Sequence, residues 1–229
     1  MIAMLSELRF EKVLEAAKIY RLLLSRRFPR DVSLNIVCNR YSLSKVERMV
    51  LYRCVHPKHE AEERKRKTVN AEDIKGSRLI IDGFNVAITT STALKGIPVF
   101  EGDDGFIRDI RKSMKIGKPH YSELVPTISL ILLEARKLEP AEAIVFYDEQ
   151  ISWSGLLASF TRKIIKRIFP SGDAFTASRS DTAVIEIGGI ACTSDVVILN
   201  SVSSVFDLSK HVISIYTVSY THLTLPTTE

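Results

Sequence analysis

The sequence predicts an α/β protein: a parallel sheet flanked by helices, preceded by a small all-α module of helix-turn-helix-like order. Three observations predict it. Beyond residue 77, short aliphatic runs that do not alternate with polar residues recur between amphipathic stretches, which is how strands buried on both faces and their crossover helices read. Before residue 56 only helical spacing is present. Charge divides near the same place: residues 1–76 hold 17 Lys and Arg against 10 Asp and Glu, and the remainder 15 against 17. A basic front and a mildly acidic back point to a polyanion-binding module beside a different domain.

At 229 residues and 45% hydrophobic content the chain can bury a real core. No run approaches the roughly 18 apolar residues of a membrane span, and Glu7, Arg9 and Glu11 interrupt the layout of a signal peptide. The expectation is a cytoplasmic protein with no membrane partner. Cys38, Cys54 and Cys192 are odd in number and lack metal-ligand spacing, so reduced, buried thiols are expected rather than a disulfide framework.

In the front module (residues 1–55), "ELRFEKVLEAAKIYRLLLSRRF" sets Leu8, Val13, Ala16, Ala17, Tyr20 and Leu24 near helical spacing, and Pro29 stops the helix. A second helix is expected from Asp31 to a break near Tyr41 and Ser42. A third follows, capped by Ser44 with Glu47 three residues on, the capping-box pattern. On that third helix Lys45, Arg48, Tyr52 and Arg53 are side-chain types that reach nucleic acid. A plain helical bundle that leaves them solvated is the alternative. Residues 56–77 have almost no apolar content and carry the basic run Arg64 to Lys67, so they read as a charged linker or exposed helix, with His56 and His59 in solvent.

The α/β domain is expected over residues 78–217. "RLII" (78–81) is its first strand and ends on Asp82. "FIRDIRKSMK" (106–115) and "YSELVPTISLILLEARKL" (121–138) read as helices, and "AIVFYD" (143–148) as a strand. "SGLLASFTRKIIKRIF" (154–169) is a helix, "AFTAS" (174–178) a short strand and "GIACTSD" (189–195) another. "SSVFDLSKH" (203–211) reads as a helix and "VISIYT" (212–217) as a last strand. "DTAVIEIGG" (181–189) stays ambiguous: its β-branched residues favour a strand, its place between two strands a short helix.

Four acids follow strands of this sheet: Asp82, Asp148, Asp181 and Asp195. The carboxyl edge of a parallel sheet is where ligands bind, and like charges gathered there need compensation. A divalent cation supplies it, and all-oxygen donors select Mg²⁺ or Mn²⁺ over zinc. Such a cluster suits phosphodiester hydrolysis. Helix capping is the plainer role for Asp181 and Asp195, each of which follows a serine.

The order "IIDGFN", "VFYD", "SRSD", "CTSD" resembles the PIN and NYN superfamily of metal-dependent nucleases, over roughly residues 78–217. The resemblance implies a PIN-like fold, Mg²⁺ or Mn²⁺ as cofactor and RNA ahead of DNA as partner. It carries over Asp82, Asp148, Asp181 and Asp195 as catalytic metal ligands, Asn85 as a residue that orders the site, and Ser194 as the hydroxyl residue before the last acid. The whole chain is also similar to an uncharacterised, largely archaeal family known as domain of unknown function four-thirty-four fused to this domain.

Further candidates lie around the acids. Ser152 and Ser154 flank Trp153 where free N–H groups of a helix start can meet phosphate, and Trp153 can stack on a base; a capping serine and a packed indole are the plainer roles. Arg162, Lys163, Lys166 and Arg167 form a basic helix face that can follow a nucleic-acid backbone or simply be solvated. Asp103 and Asp104 either join the metal site or, more simply, cap a helix starting near Gly105. Glu134 ranks below Asp148 as a further acid. The terminal "VSYTHLTLPTTE" (218–229) is Thr-rich, lacks periodicity and resembles the translation of a sequencing adapter, so it is set aside as non-native.

The leading reading is thus a metal-dependent nuclease. A non-catalytic nucleic-acid-binding regulator is the alternative, and whether the chain forms a homodimer is left open. A phosphatase and a dinucleotide-binding domain lack their signatures here: no "DxD" pair follows the first strand, and no glycine-rich phosphate loop is present.

Overall fold

A computed structural model describes residues 8–111 and 120–216, together with the backbone of Leu223–Thr224. The chain forms two compact units. One comprises residues 1–66, 95–118 and 219–229; the other comprises 67–94 and 119–218.

The first unit opens with four helices: α1 (Phe10–Ser25), α2 (Arg30–Arg40), α3 (Lys45–Cys54) and α4 (Lys58–Lys67). The apolar stripe read from the sequence is the buried one, Val13, Ala16, Ala17, Tyr20 and Leu24 on α1 meeting Leu34, Val37, Val50 and Leu51. Ser44 and Glu47 form the expected capping box, and Arg9 pairs with Glu47 at 2.6 Å. The charged stretch after residue 55 departs from expectation. His56 and Arg64 are fully buried, whereas His59 is exposed. The described residues 95–111, drawn from within the sequence of the α/β domain, belong to this unit.

Within that insertion, β2 (Val99–Glu101) and β3 (Ile107–Asp109) pair antiparallel. The helix expected over 106–115 is therefore a strand at its start, and its part beyond residue 111 lies outside the described residues. Asp103, Asp104 and Gly105 form the hairpin turn, in which the Gly102 N–H donates to the Phe106 carbonyl at 3.0 Å. Asp103 and Asp104 thus cap no helix. Of the tail set aside above, only the backbone of β8 (Leu223–Thr224) is described, paired in parallel with Phe100 and Glu101.

In the second unit a 3₁₀ turn (Ala71–Ile74) leads to β1 (Arg78–Asp82), α5 (Gly83–Leu94), α6 (Tyr121–Lys137), β4 (Glu142–Asp148), α7 (Ser154–Ile168) and β5 (Gly172–Ala177). Then follow α8 (Ser180–Glu186), β6 (Ile190–Cys192), α9 (Val196–Ser201), β7 (Val205–Phe206) and α10 (Leu208–Tyr216). The five strands form one parallel sheet in the order β5-β4-β1-β6-β7. Leu79, Ile81, Val145 and Ala174 join one apolar cluster with Leu124, Ile128 and Leu157 of the helices.

Three assignments at the end of this unit are settled by packing. The ambiguous "DTAVIEIGG" is helical in α8 as far as Glu186. Val205–Phe206, expected within a helix, is β7. "VISIYT", expected as a strand, lies in α10 as far as Tyr216, because Leu208, Ser209, Val212 and Ile213 share one buried helical face. Burial on that face overrides the β preference of its branched residues.

Candidate functional site

The strand order fixes where a site belongs. The chain runs from β1 outward to β4 and β5, then returns to the other side of β1 with β6 and β7. The β1/β6 junction is therefore the switch point of the sheet, where the two outgoing connections diverge and leave a crevice at the carboxyl ends. Asp82 is the last residue of β1, and Ile81 pairs with Cys192, so Thr193 stands beside Asp82.

This corner is tied by hydrogen bonds. The Thr193 hydroxyl donates to Asp82 Oδ2 at 2.9 Å and accepts from the Asp195 N–H at 3.1 Å. Asn85, in the first turn of α5, accepts on Oδ1 from both the N–H (2.9 Å) and the hydroxyl (3.1 Å) of Ser194. The loop after β6 is thereby clamped to the first turn of α5. Burial pushes the Asp82 carboxyl up to about 6; the Thr193 hydrogen bond opposes this, and the negative charges of Asp195 and Asp181 add to it.

Asp82, Asp181 and Asp195 thus act on one another, but their postures differ. Asp195 caps α9, accepting from the N–H groups of Val197 (2.8 Å) and Ile198 (3.4 Å), as its plainer reading anticipated. Asp181 is exposed in the first turn of α8. Asp148 is offset: Asp82 pairs with Phe146, so Asp148 lies two residues further along, roughly 7 Å by strand rise. Its Oδ1 accepts from the Gln150 N–H at 2.9 Å.

Among the described residues no three His, Cys, Asp or Glu side chains are grouped closely enough to hold one metal ion. A closed four-carboxylate shell is therefore not what the fold presents. The donor chemistry, oxygen only, still fits a hard cation of the Mg²⁺ type, which is commonly held by one or two carboxylates and completed by water and phosphate.

The other candidates separate clearly. Ser154 is buried and its hydroxyl reaches the Glu149 carbonyl at 3.5 Å, whereas Ser152 is exposed. Arg162 is committed to the edge strand β5: Nε donates to Asp173, Nη2 donates to the Ala174 carbonyl, and the guanidinium lies over the Phe175 ring. Lys163, Lys166 and Arg167 are exposed. Glu134 is buried and accepts from Lys137 (2.7 Å) and the Tyr216 hydroxyl (2.5 Å), which makes it a brace between α6 and α10. In the front unit Lys45 is exposed, Arg53 is half-buried and Arg48 donates to Asn35 at 2.6 Å.

Two residues of the corner were not singled out from the sequence. Thr193 was hidden because a threonine ending a strand carries no mark of its own. Gly83 has a steric purpose: a Cβ there would meet the Tyr147 ring at 2.4 Å, so only glycine lets α5 start against that ring. Phe84 completes the contact, edge to face with Tyr147 at 5.2 Å.

With known proteins, the family described as "Domain of unknown function (DUF5616)" matches residues 71–211, and that described as "Protein of unknown function (DUF434)" matches residues 12–67. The chain is also similar to an uncharacterised protein of Methanocaldococcus jannaschii, 33% identical over 187 residues, covering 82% of this chain and 88% of the relative. No solved structure matches the chain. Among the described residues no helix is long and apolar enough to cross a membrane.

Proposed function

We propose, from the premise that the chain belongs to the DUF5616 family, that it is a nuclease dependent on Mg²⁺ or Mn²⁺, acting on RNA in the manner of the PIN and NYN superfamily it resembles. One observation carries the reading: the acid ending β1 sits at the switch point of a parallel sheet, with Asp195 and Asp181 in its field and the loop after β6 clamped beside it.

In this reading Asp82 and Asp195 hold the cation, with Asp181 at the open side. Bound there, the ion supplies a polarised phosphate oxygen and a more acidic water. Thr193 aims the Asp82 carboxylate through its hydroxyl, and Asn85 keeps the Ser194 loop against α5. The acidity of Asp82 matters in itself: a carboxyl held near 6 is largely ionised at pH 7 and able to take a metal ion there. The exposed Lys163, Lys166 and Arg167 give a phosphate backbone a place to lie.

A second reading, a nucleic-acid-binding regulator without catalysis, draws on the open grouping of the acids and on Asp195 being engaged as a helix cap. Cleavage of labelled structured RNA, single-stranded RNA and single-stranded DNA separates the two, with Mg²⁺, Mn²⁺ or EDTA and with Asp82→Asn and Asp195→Asn as controls. The nuclease reading expects metal-dependent cutting that both variants abolish. Binding without cutting, unchanged in both variants, overturns it in favour of the regulator.

A further inference from the structure

The turn after β4 holds an aromatic side chain under unusual conditions. Trp153, five residues past Asp148 and just ahead of α7, is the chain's single tryptophan. The residue is 50% exposed, although tryptophan is among the side chains most rewarded by burial. Its backbone is left-handed, φ +75°, a conformation that a bulky residue adopts at a cost and that glycine adopts freely. A turn needing only that geometry is better served by glycine, and one needing only packing would bury the ring.

The indole is not alone. His120, the cap before α6, and Tyr121, its first residue, bring their rings to 6.0 and 6.1 Å from it, tilted by 61° and 46°. Edge and tilted contacts of this kind steady a ring without covering it as a parallel stack would. The result is an aromatic group braced from the side, half open to solvent, on the loop leaving the strand that ends in Asp148. Exposed Lys163, Lys166 and Arg167 follow on α7, the helix that Trp153 precedes. Open rings for bases combined with cations for phosphates are how single-stranded nucleic acid is held without sequence preference.

We propose that Trp153, braced by His120 and Tyr121, is a stacking platform for one unpaired nucleobase of a single-stranded nucleic acid. The inference rests on the nucleic-acid reading of this sheet edge and adds to it the part of the ligand that is recognised. A duplex, whose bases are stacked on one another, is excluded from the platform.

Because Trp153 is the only tryptophan, its fluorescence reports the site directly. The full-length chain is titrated in EDTA with a short oligoadenylate RNA, with an abasic phosphodiester strand of the same length, and with a matched duplex. The single strand is expected to quench the emission, and the abasic strand and duplex to leave it unchanged. By anisotropy of a labelled strand, Trp153→Ala is expected to bind about tenfold more weakly, within the range of one base-aromatic stack, with Trp153→Phe between it and the native protein. Melting curves separate this from packing, since Trp153→Gly is expected to melt no lower than the native chain. Binding without quenching, or a Trp153→Gly chain that melts well below the native one and binds as tightly, overturns the proposal. Since EDTA removes metal-dependent cutting, quenching without any cleavage under Mg²⁺ or Mn²⁺ overturns only the nuclease reading, and cleavage without quenching only the platform.

Discussion

At the scale of single residues, Asp82 ties the site to stability. Its folded carboxyl is raised from 3.8 to about 6, so between about pH 4 and pH 6 the folded chain holds a proton that the unfolded chain releases. Stability from this group is therefore full below pH 4 and falls as pH rises through 6. In EDTA at pH 7.5, Asp82→Asn is expected to be more stable than the native chain by about 1–2 kcal/mol, discounted for partial exposure. The gain is expected to vanish near pH 4. Urea midpoints at the two pH values check it; a variant less stable than native at pH 7.5 removes the strained-acid account. A protein that keeps an acid where an amide would stabilise it is spending stability on a site.

At the scale of elements, the β1 to α5 corner shows why an apolar run ends on an acid, a glycine, an aromatic and an asparagine. Asp82 stands in the crevice, Gly83 admits the Tyr147 ring, Phe84 packs on that ring, and Asn85 binds the Ser194 loop. Gly83→Ala is expected to cost about 1–3 kcal/mol by overpacking against a ring that is itself held, its hydroxyl 2.8 Å from that of Thr161. Calorimetry measures the loss; a neutral substitution means that Tyr147 moves aside. Elements with strong local signals were legible in the sequence, including the α3 capping box and the aliphatic strands. Those decided by remote partners were not. The run 106–111 becomes strand and turn because Arg108 is drawn inward to Asp104, and α10 is helical because its branched residues share a buried face.

At the scale of the whole molecule, the first unit is assembled from segments far apart in the chain, and buried charge joins them. Asp103 receives two hydrogen bonds of 2.7 Å from Arg21, and Asp104 is held between Arg108 (2.7 Å) and Arg64 (3.0 Å), with His56 at 3.5 Å. Burial pushes the Asp104 carboxyl up, but Arg108, His56 and Arg64 outweigh it and hold the group well below the usual carboxylate range. Asp104→Asn removes the buried charge that Arg108 and Arg64 share, leaving Arg64 its bond to Glu60, and is expected to destabilise this unit by about 3–5 kcal/mol at pH 7. Hydrogen exchange of α1 and α4 amides reads the effect within the unit. Unchanged protection there means the network is not what joins the insertion to the helices.

The sequence by itself determined the fold class, the helical front, most strands of the parallel sheet, and the acids Asp82 and Asp195 at its carboxyl edge. Those follow from local periodicity and from residues that mark strand ends. Only the tertiary structure decided that residues 95–111 belong with the front helices, that Asp148 is set back from Asp82, and that Arg162 and Glu134 are structural braces. It also decided that Thr193 links Asp82 to the Asp195 backbone. Each of these depends on which partner a side chain meets across a long separation in the chain, and neither the period of hydrophobic residues nor the spacing of charges carries that information.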